Sequence, residues 1–170
     1  MSEIIVPKKI DFYHETIMII RENIIRNKSK EDDYVEHEGT NCYAYALGST
    51  IRYNDYALID FFEYRPGAFS GSLGVDYKEG GVERQFEDDM EALKFGVRRV
   101  KCDAINTDSE LVIALLRSAA PNSFGFHFMR RSYNGDYWME KPGYTNAPRK
   151  VLELNSNPNY RLLSCYGIKI

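Results

Sequence analysis

Cys42 opens the run Asn41-Cys42-Tyr43-Ala44-Tyr45-Ala46-Leu47-Gly48, directly after the flexible stretch Glu38-Gly39-Thr40. The small and aromatic residues that follow predict a short helix with the thiol in its first turn. A sulfur there feels the positive end of the helix dipole and N–H groups with no intrahelical acceptor. Both favour the thiolate, the form that attacks a carbonyl carbon. The matching base is His127, within Phe124-Gly125-Phe126-His127-Phe128-Met129. Against this stands a plainer reading, since a lone cysteine is often just a small buried hydrophobe. His127 between two phenylalanines also reads as a core histidine bonded to a backbone carbonyl.

The segment around His127 supplies a third group. Residues 124–132 and 136–141 flank Asn134-Gly135, the strongest short hairpin signal. A two-residue loop sets Tyr133 opposite Asp136, Arg131 opposite Trp138 and Met129 opposite Glu140. Side chains alternate between faces, so His127, Met129, Trp138 and Glu140 share one side of the sheet. Glu140 then lies diagonally next to His127, roughly 7 Å away between Cα atoms, within reach of a side-chain hydrogen bond. A carboxylate there holds the imidazole in the tautomer that accepts a thiol proton and stabilises the imidazolium once it forms. Phe126, Phe128 and Met139 face a hydrophobic layer on the other side. The alternative for Glu140 is a surface ion pair with Arg130 or Arg131, worth little.

Helices are expected before these strands. Pro7 suits a first helical turn, and Ile10, Tyr13, Ile17, Ile20 and Ile24 recur at spacings of three and four. Asn27-Lys28-Ser29-Lys30-Glu31-Asp32-Asp33 ends that helix as a solvated loop. Residues 56–64 read as helical, and Arg65-Pro66-Gly67-Ala68-Phe69-Ser70-Gly71 as a breaker. Val82, Phe86, Met90 and Leu93 mark an amphipathic helix with Glu83, Glu87, Asp88 and Glu91 on its wet face. Residues 97–102 alternate like a strand, its basic run a solvated edge. Thr107 and Glu110 form a capping box before Leu111-Val112-Ile113-Ala114-Leu115-Leu116, which predicts a helix ending by Pro121. His14 falls off the first apolar stripe and faces solvent. His37 is a loop histidine near the nucleophile.

Composition narrows the classes. The 170 residues suffice for one domain with a substantial core, rich in aromatics at thirteen Tyr and nine Phe. A net charge of −3 gives no global basic field to draw nucleic acid or anionic lipid. Cys42, Cys102 and Cys165 are odd in number and far apart, which indicates neither a disulfide framework nor a zinc site. Cys102 and Cys165 are read as packing residues. No metal set is seen, and no stretch reads as a signal peptide or membrane span. A cytoplasmic protein in a reducing compartment is the expectation.

Four motifs, taken together, resemble a known family. They are Asn41-Cys42-Tyr43-Ala44-Tyr45-Ala46, then Pro66-Gly67-Ala68-Phe69-Ser70-Gly71, then His127-Phe128-Met129-Arg130, then Gly135-Asp136-Tyr137-Trp138-Met139-Glu140-Lys141-Pro142-Gly143. This series, spanning residues 38–146, is similar to a group of small bacterial and phage-type proteins. Those share an Asn-Cys-Tyr helix start, a Pro-Gly-x-x-Ser-Gly turn, a His-Phe-Tyr-Arg strand and a Trp-Ser-His-Lys-Pro-Gly hairpin return. The group is associated with the papain-like superfamily, near the NlpC-type cysteine hydrolases, in which a cysteine likewise precedes its histidine in the chain. The resemblance implies Cys42 as nucleophile and His127 as base, and it puts Glu140 where the family has a second histidine. Met129 replaces an aromatic before Arg130. It also implies a peptide, protein or peptidoglycan-stem substrate and no cofactor.

The expected fold is α+β and papain-like: helices, including the Cys42 helix, packed on an antiparallel sheet with a central hairpin. One domain covers 1–170, with an N-terminal helix and loop over 1–37 and a catalytic core over 38–170. The expected reaction is hydrolysis of an amide or isopeptide bond through a Cys42 thioester. Asn41 and the Cys42 N–H form the oxyanion hole, and Trp138, Tyr43 and Arg131 bind substrate. Two alternatives carry the same residues: a non-catalytic binding or inhibitory protein on a papain-like shell, and a Cys–His acyltransferase.

Overall fold

A computed structural model describes residues 9–30, 37, 39–51, 65–71, 81–103, 111–120, 125–132, 137–143 and 146–170. The Pro7 helix start, the side chains of Ile10 and Tyr13, the helix expected over 56–64, the Thr107–Glu110 capping box and the Asn134-Gly135 turn lie outside them. The described chain is α+β, with three helices and an antiparallel sheet.

Helix α1 (Lys9–Asn27) buries Ile17, Ile20 and Ile24, as their spacing predicts, and His14 is exposed. Helix α2 (Cys42–Leu47) is a short segment with all six residues buried. Asn41 caps its start, the side-chain Oδ1 accepting from the Ala44 N–H at 3.0 Å. Gly48 ends it in the left-handed region at φ 83°. A Cβ at Gly48 would lie 2.6 Å from the Lys28 Cα, so only glycine allows the end of α2 to pack on the chain leaving α1. Helix α3 (Gly81–Ala92) buries Val82, Phe86 and Met90. Its acidic face meets the basic run after it, Arg99 pairing with Glu83 at 3.0 Å and with Glu87 at 2.9 Å.

The strands are β1 (Gly96–Val100), β2 (Leu111–Ser118), β3 (Phe126–Arg131), β4 (Trp138–Glu140), β5 (Arg149–Val151) and β6 (Tyr160–Lys169). They form one sheet in the order β1-β6-β2-β3-β4-β5, every neighbouring pair antiparallel. One sequence expectation is overturned here, because Leu111-Val112-Ile113-Ala114-Leu115-Leu116 is strand and not helix. An unbroken apolar run serves a strand buried on both faces as well as it serves a buried helix. β2 is such a strand: it lies between β6 and β3, with Leu111 to Leu116 all buried.

The two sheet faces carry separate apolar clusters. Ile113, Leu115, Phe128, Tyr166 and Ile168 pack with the three helices. Val112, Ala114, Leu116, Met129, Trp138, Val151 and Cys165 form the second cluster. α1 joins the same cluster as α2 and α3, so the N-terminal helix shares the core of the rest.

Cys102 and Cys165 are disulfide-bonded, with Cα atoms 5.3 Å apart. This corrects their reading as free packing thiols. The β1–β6 register sets Val100 opposite Cys165, and the turn after Val100 brings Cys102 back to it, a proximity that a sequence separation of 63 conceals. The bond also removes the premise that every thiol in the chain is reduced. Among the described residues no helix is long and apolar enough to cross a membrane.

Candidate active site

The hairpin register is the one expected, with Met129 opposite Glu140, Arg130 opposite Met139 and Arg131 opposite Trp138. It places Glu140 diagonally across from His127. The His127 Nε2 and the Glu140 Oε2 are 2.5 Å apart, in a pair almost wholly removed from solvent. The other carboxylate oxygen, Oε1, accepts from Arg149, with Nε and Nη2 each at 2.7 Å. Glu140 is thus held on both oxygens, from β3 and from β5.

Cys42 completes the group. Its side chain is close enough to His127 to interact with the imidazole, and it is the one free cysteine among the described residues. With Nε2 committed to Glu140, Nδ1 is the ring nitrogen left for the thiol. The Tyr160 ring lies over the imidazole at 5.1 Å between centroids and walls the site from β6.

The electrostatics follow from burial and contact. Burial alone would push the imidazole toward its neutral form. Hydrogen bonds to Cys42 and Glu140, and the charges of both, outweigh this and raise His127 to about 9. Burial likewise opposes ionisation of Glu140, but the bonds from His127 and Arg149 hold its carboxyl below the usual value. Tyr160 is pushed up by burial and by the charges of Cys42 and Glu140. At neutral pH the site therefore contains a carboxylate and an imidazolium, with the Cys42 sulfur beside the ring.

The remaining expected site residues divide. Asn41 stands beside Cys42, where its Oδ1 is used as the helix cap. Tyr43 and Trp138, expected to bind substrate, are both buried. Tyr43 is wholly buried, stacked on Phe128 at 4.6 Å, with its hydroxyl donating to Asp89 Oδ2 at 2.5 Å. Neighbouring side chains on a helix point in different directions, and Tyr43 faces the core. Trp138 is buried in the second apolar cluster. Arg131 is partly exposed two register positions beyond the Met129–Glu140 pair. His37 is buried, with Nε2 donating to the Lys30 carbonyl at 2.5 Å and its ring edge against Tyr45. Asn146 is exposed, its amide donating to the Pro142 carbonyl.

Three contributors were not anticipated. Arg149 and Tyr160 come from loop-flanked strands with no motif to mark them. Asp89 did leave a signal, because it lies three residues after Phe86 and four before Leu93, on the buried stripe of α3. Its carboxylate accepts from the Gly67 N–H, the Ser70 N–H and the Ser70 hydroxyl, each at 2.8 Å, as well as from Tyr43. The Pro-Gly-x-x-Ser-Gly turn is therefore bound to the α2 helix through one buried acid.

Comparison with protein-family models, curated proteins and solved structures finds no match to this chain.

Proposed function

We propose that the chain is a cysteine-dependent hydrolase of the papain-like kind, cleaving an amide or isopeptide bond through a thioester on Cys42. The observation that supports this reading is the series Cys42–His127–Glu140, in which a buried imidazole is bonded to a carboxylate and interacts with the thiol. A merely structural histidine needs one acceptor for its N–H. Here the second nitrogen is given to the chain's free cysteine.

The chemistry runs as follows. The reactive form is a thiolate–imidazolium pair, in which the proton given up by Cys42 rests on His127 and the ionised Glu140 stabilises the imidazolium. The thiolate attacks the carbonyl carbon, and the oxyanion meets the Cys42 backbone N–H, which the Asn41 cap fixes in place. The imidazolium then gives its proton to the leaving amine as the C–N bond breaks. Water, losing a proton to His127, attacks the thioester and frees the acid and Cys42. A peptide, protein or peptidoglycan-stem substrate fits this chemistry.

Brief substoichiometric iodoacetamide followed by peptide mapping tests the nucleophile. Cys42 is expected to carry essentially all of the label without reductant, because Cys102 and Cys165 are bonded to each other. Cys42→Ala should abolish both labelling and acylation by an activated ester. Labelling at the rate of a simple thiol, together with no ester-derived adduct on Cys42, would leave the pair without a catalytic role.

A further inference from the structure

Lys141 directly follows Glu140, and its side chain is wholly buried. A buried lysine is uncommon because desolvation penalises the ammonium. Its partners show what the charge is used for. Nζ donates to the Thr40 carbonyl, two residues before Cys42, and to the Gly143 carbonyl at 2.8 Å. Gly143 has φ 80°, in the left-handed region, which curls the Lys-Pro-Gly turn back onto the ammonium. Thr40 is fixed from its other side, its N–H and its hydroxyl both directed to the His37 carbonyl at 3.1 and 2.7 Å. The ammonium also lies in the electrostatic field of Cys42.

We propose that Lys141 is a positioning residue for the nucleophile: its ammonium clamps the backbone that leads into Cys42 and gives the thiolate a fixed positive neighbour. Glu140 and Lys141 then act as a unit, one aligning the base and the next aligning the nucleophile, so the end of β4 sets the geometry of the pair. This rests on the acyl-transfer reading of Cys42 and His127. The ionisable groups at the site are Cys42 on α2, His127 on β3, Glu140 and Lys141 at the end of β4, Arg149 on β5 and Tyr160 on β6.

The experiment is the rate of Cys42 alkylation by iodoacetamide across pH 5 to about 10, an ordinary thiol range, in the full chain. Lys141→Met, which removes charge and donors, is expected to slow the reaction at neutral pH about fivefold. It should also raise the pH of half-maximal alkylation, since a nearby cation favours the thiolate. Lys141→Gln retains donors for the two carbonyls and should fall between Met and wild type. Folded variants with the wild-type rate and pH profile overturn the proposal. If Lys141→Met does not fold, the wild-type ammonium is followed instead by nitrogen-15 NMR. Cys42→Ser should then make Lys141 lose its proton at lower pH, and an unchanged titration overturns the proposal. The two readings fail differently. A wild-type Cys42 no faster than a simple thiol defeats the acyl-transfer reading, and this inference with it. A fast Cys42 indifferent to Lys141 defeats the inference alone.

Discussion

Glu140→Gln is expected to slow Cys42 alkylation at neutral pH by about tenfold while leaving the fold intact, a charge-assisted hydrogen bond being roughly twice as strong as a neutral one. The amide oxygen can still accept from His127 Nε2, so the ring keeps its orientation. What is lost is the negative charge that favours the imidazolium, and with it part of the thiolate population. The variant's NH₂ group would face Arg149, but that side chain is 60 % exposed and can turn into solvent. The pH dependence has a definite sign. His127 retains its proton to about 9 in the native chain, against 6.5 for an ordinary histidine. Stability and charge supplied by the imidazolium are thus complete below about 6.5 and disappear as pH rises through 9. In Glu140→Gln the NMR titration of His127 should move down toward the ordinary value. A folded variant with unchanged alkylation and an unchanged His127 titration would show that Glu140 does not sustain the base.

Asp89→Asn is expected to destabilise the chain by about 1–3 kcal/mol, the range for leaving buried donors without acceptors. The carboxylate receives four hydrogen bonds, two on each oxygen. An asparagine has one oxygen, and its NH₂ must confront the backbone N–H of Gly67 or of Ser70. Burial pushes the Asp89 carboxyl up to about 6, against the bonds from Tyr43, Ser70 and Gly67 that hold it down. Its native value therefore lies above the ordinary 3.8, so this group favours folding most below 3.8 and loses that contribution as pH rises through 6. Asparagine has no such dependence. The difference in unfolding free energy between wild type and variant, measured in urea, should narrow as pH rises from 4 to 6.5, the range bracketing that titration. A difference that is constant or widening would mean that Asp89 is charged throughout.

The site was legible where local rules act alone. The His127–Glu140 contact follows from hairpin register and the alternation of side chains, and the Cys42 helix from its run of small and aromatic residues. The rest depends on contacts distant in the chain. β2 was misread because an apolar stretch with no polar alternation carries no period, and its strand character comes from β6, more than forty residues later. The Cys102–Cys165 bond depends on the pairing of that same strand with β1. The burial of Tyr43 and Trp138 was not legible either. Their burial is decided by Asp89 and by the second apolar cluster, neither of which lies beside them in sequence. Lys141 was visible as part of a motif, but not its reach to Thr40.

The place of β6 between β1 and β2 has a consequence for synthesis. A nascent chain that has emerged only as far as β5 already carries Cys42, His127 and Glu140. Its sheet is still divided, with β1 on one side of a gap and β2 to β5 on the other. The edge of β2 stays open, and the Tyr160 ring has not yet covered the imidazole. Cys102 likewise has no Cys165 to meet, so until that strand is made the growing polypeptide contains a second free thiol. Joining the sheet, covering His127 and pairing Cys102 all await the same ten residues, which ties completion of the proposed site to the last described strand to leave the ribosome.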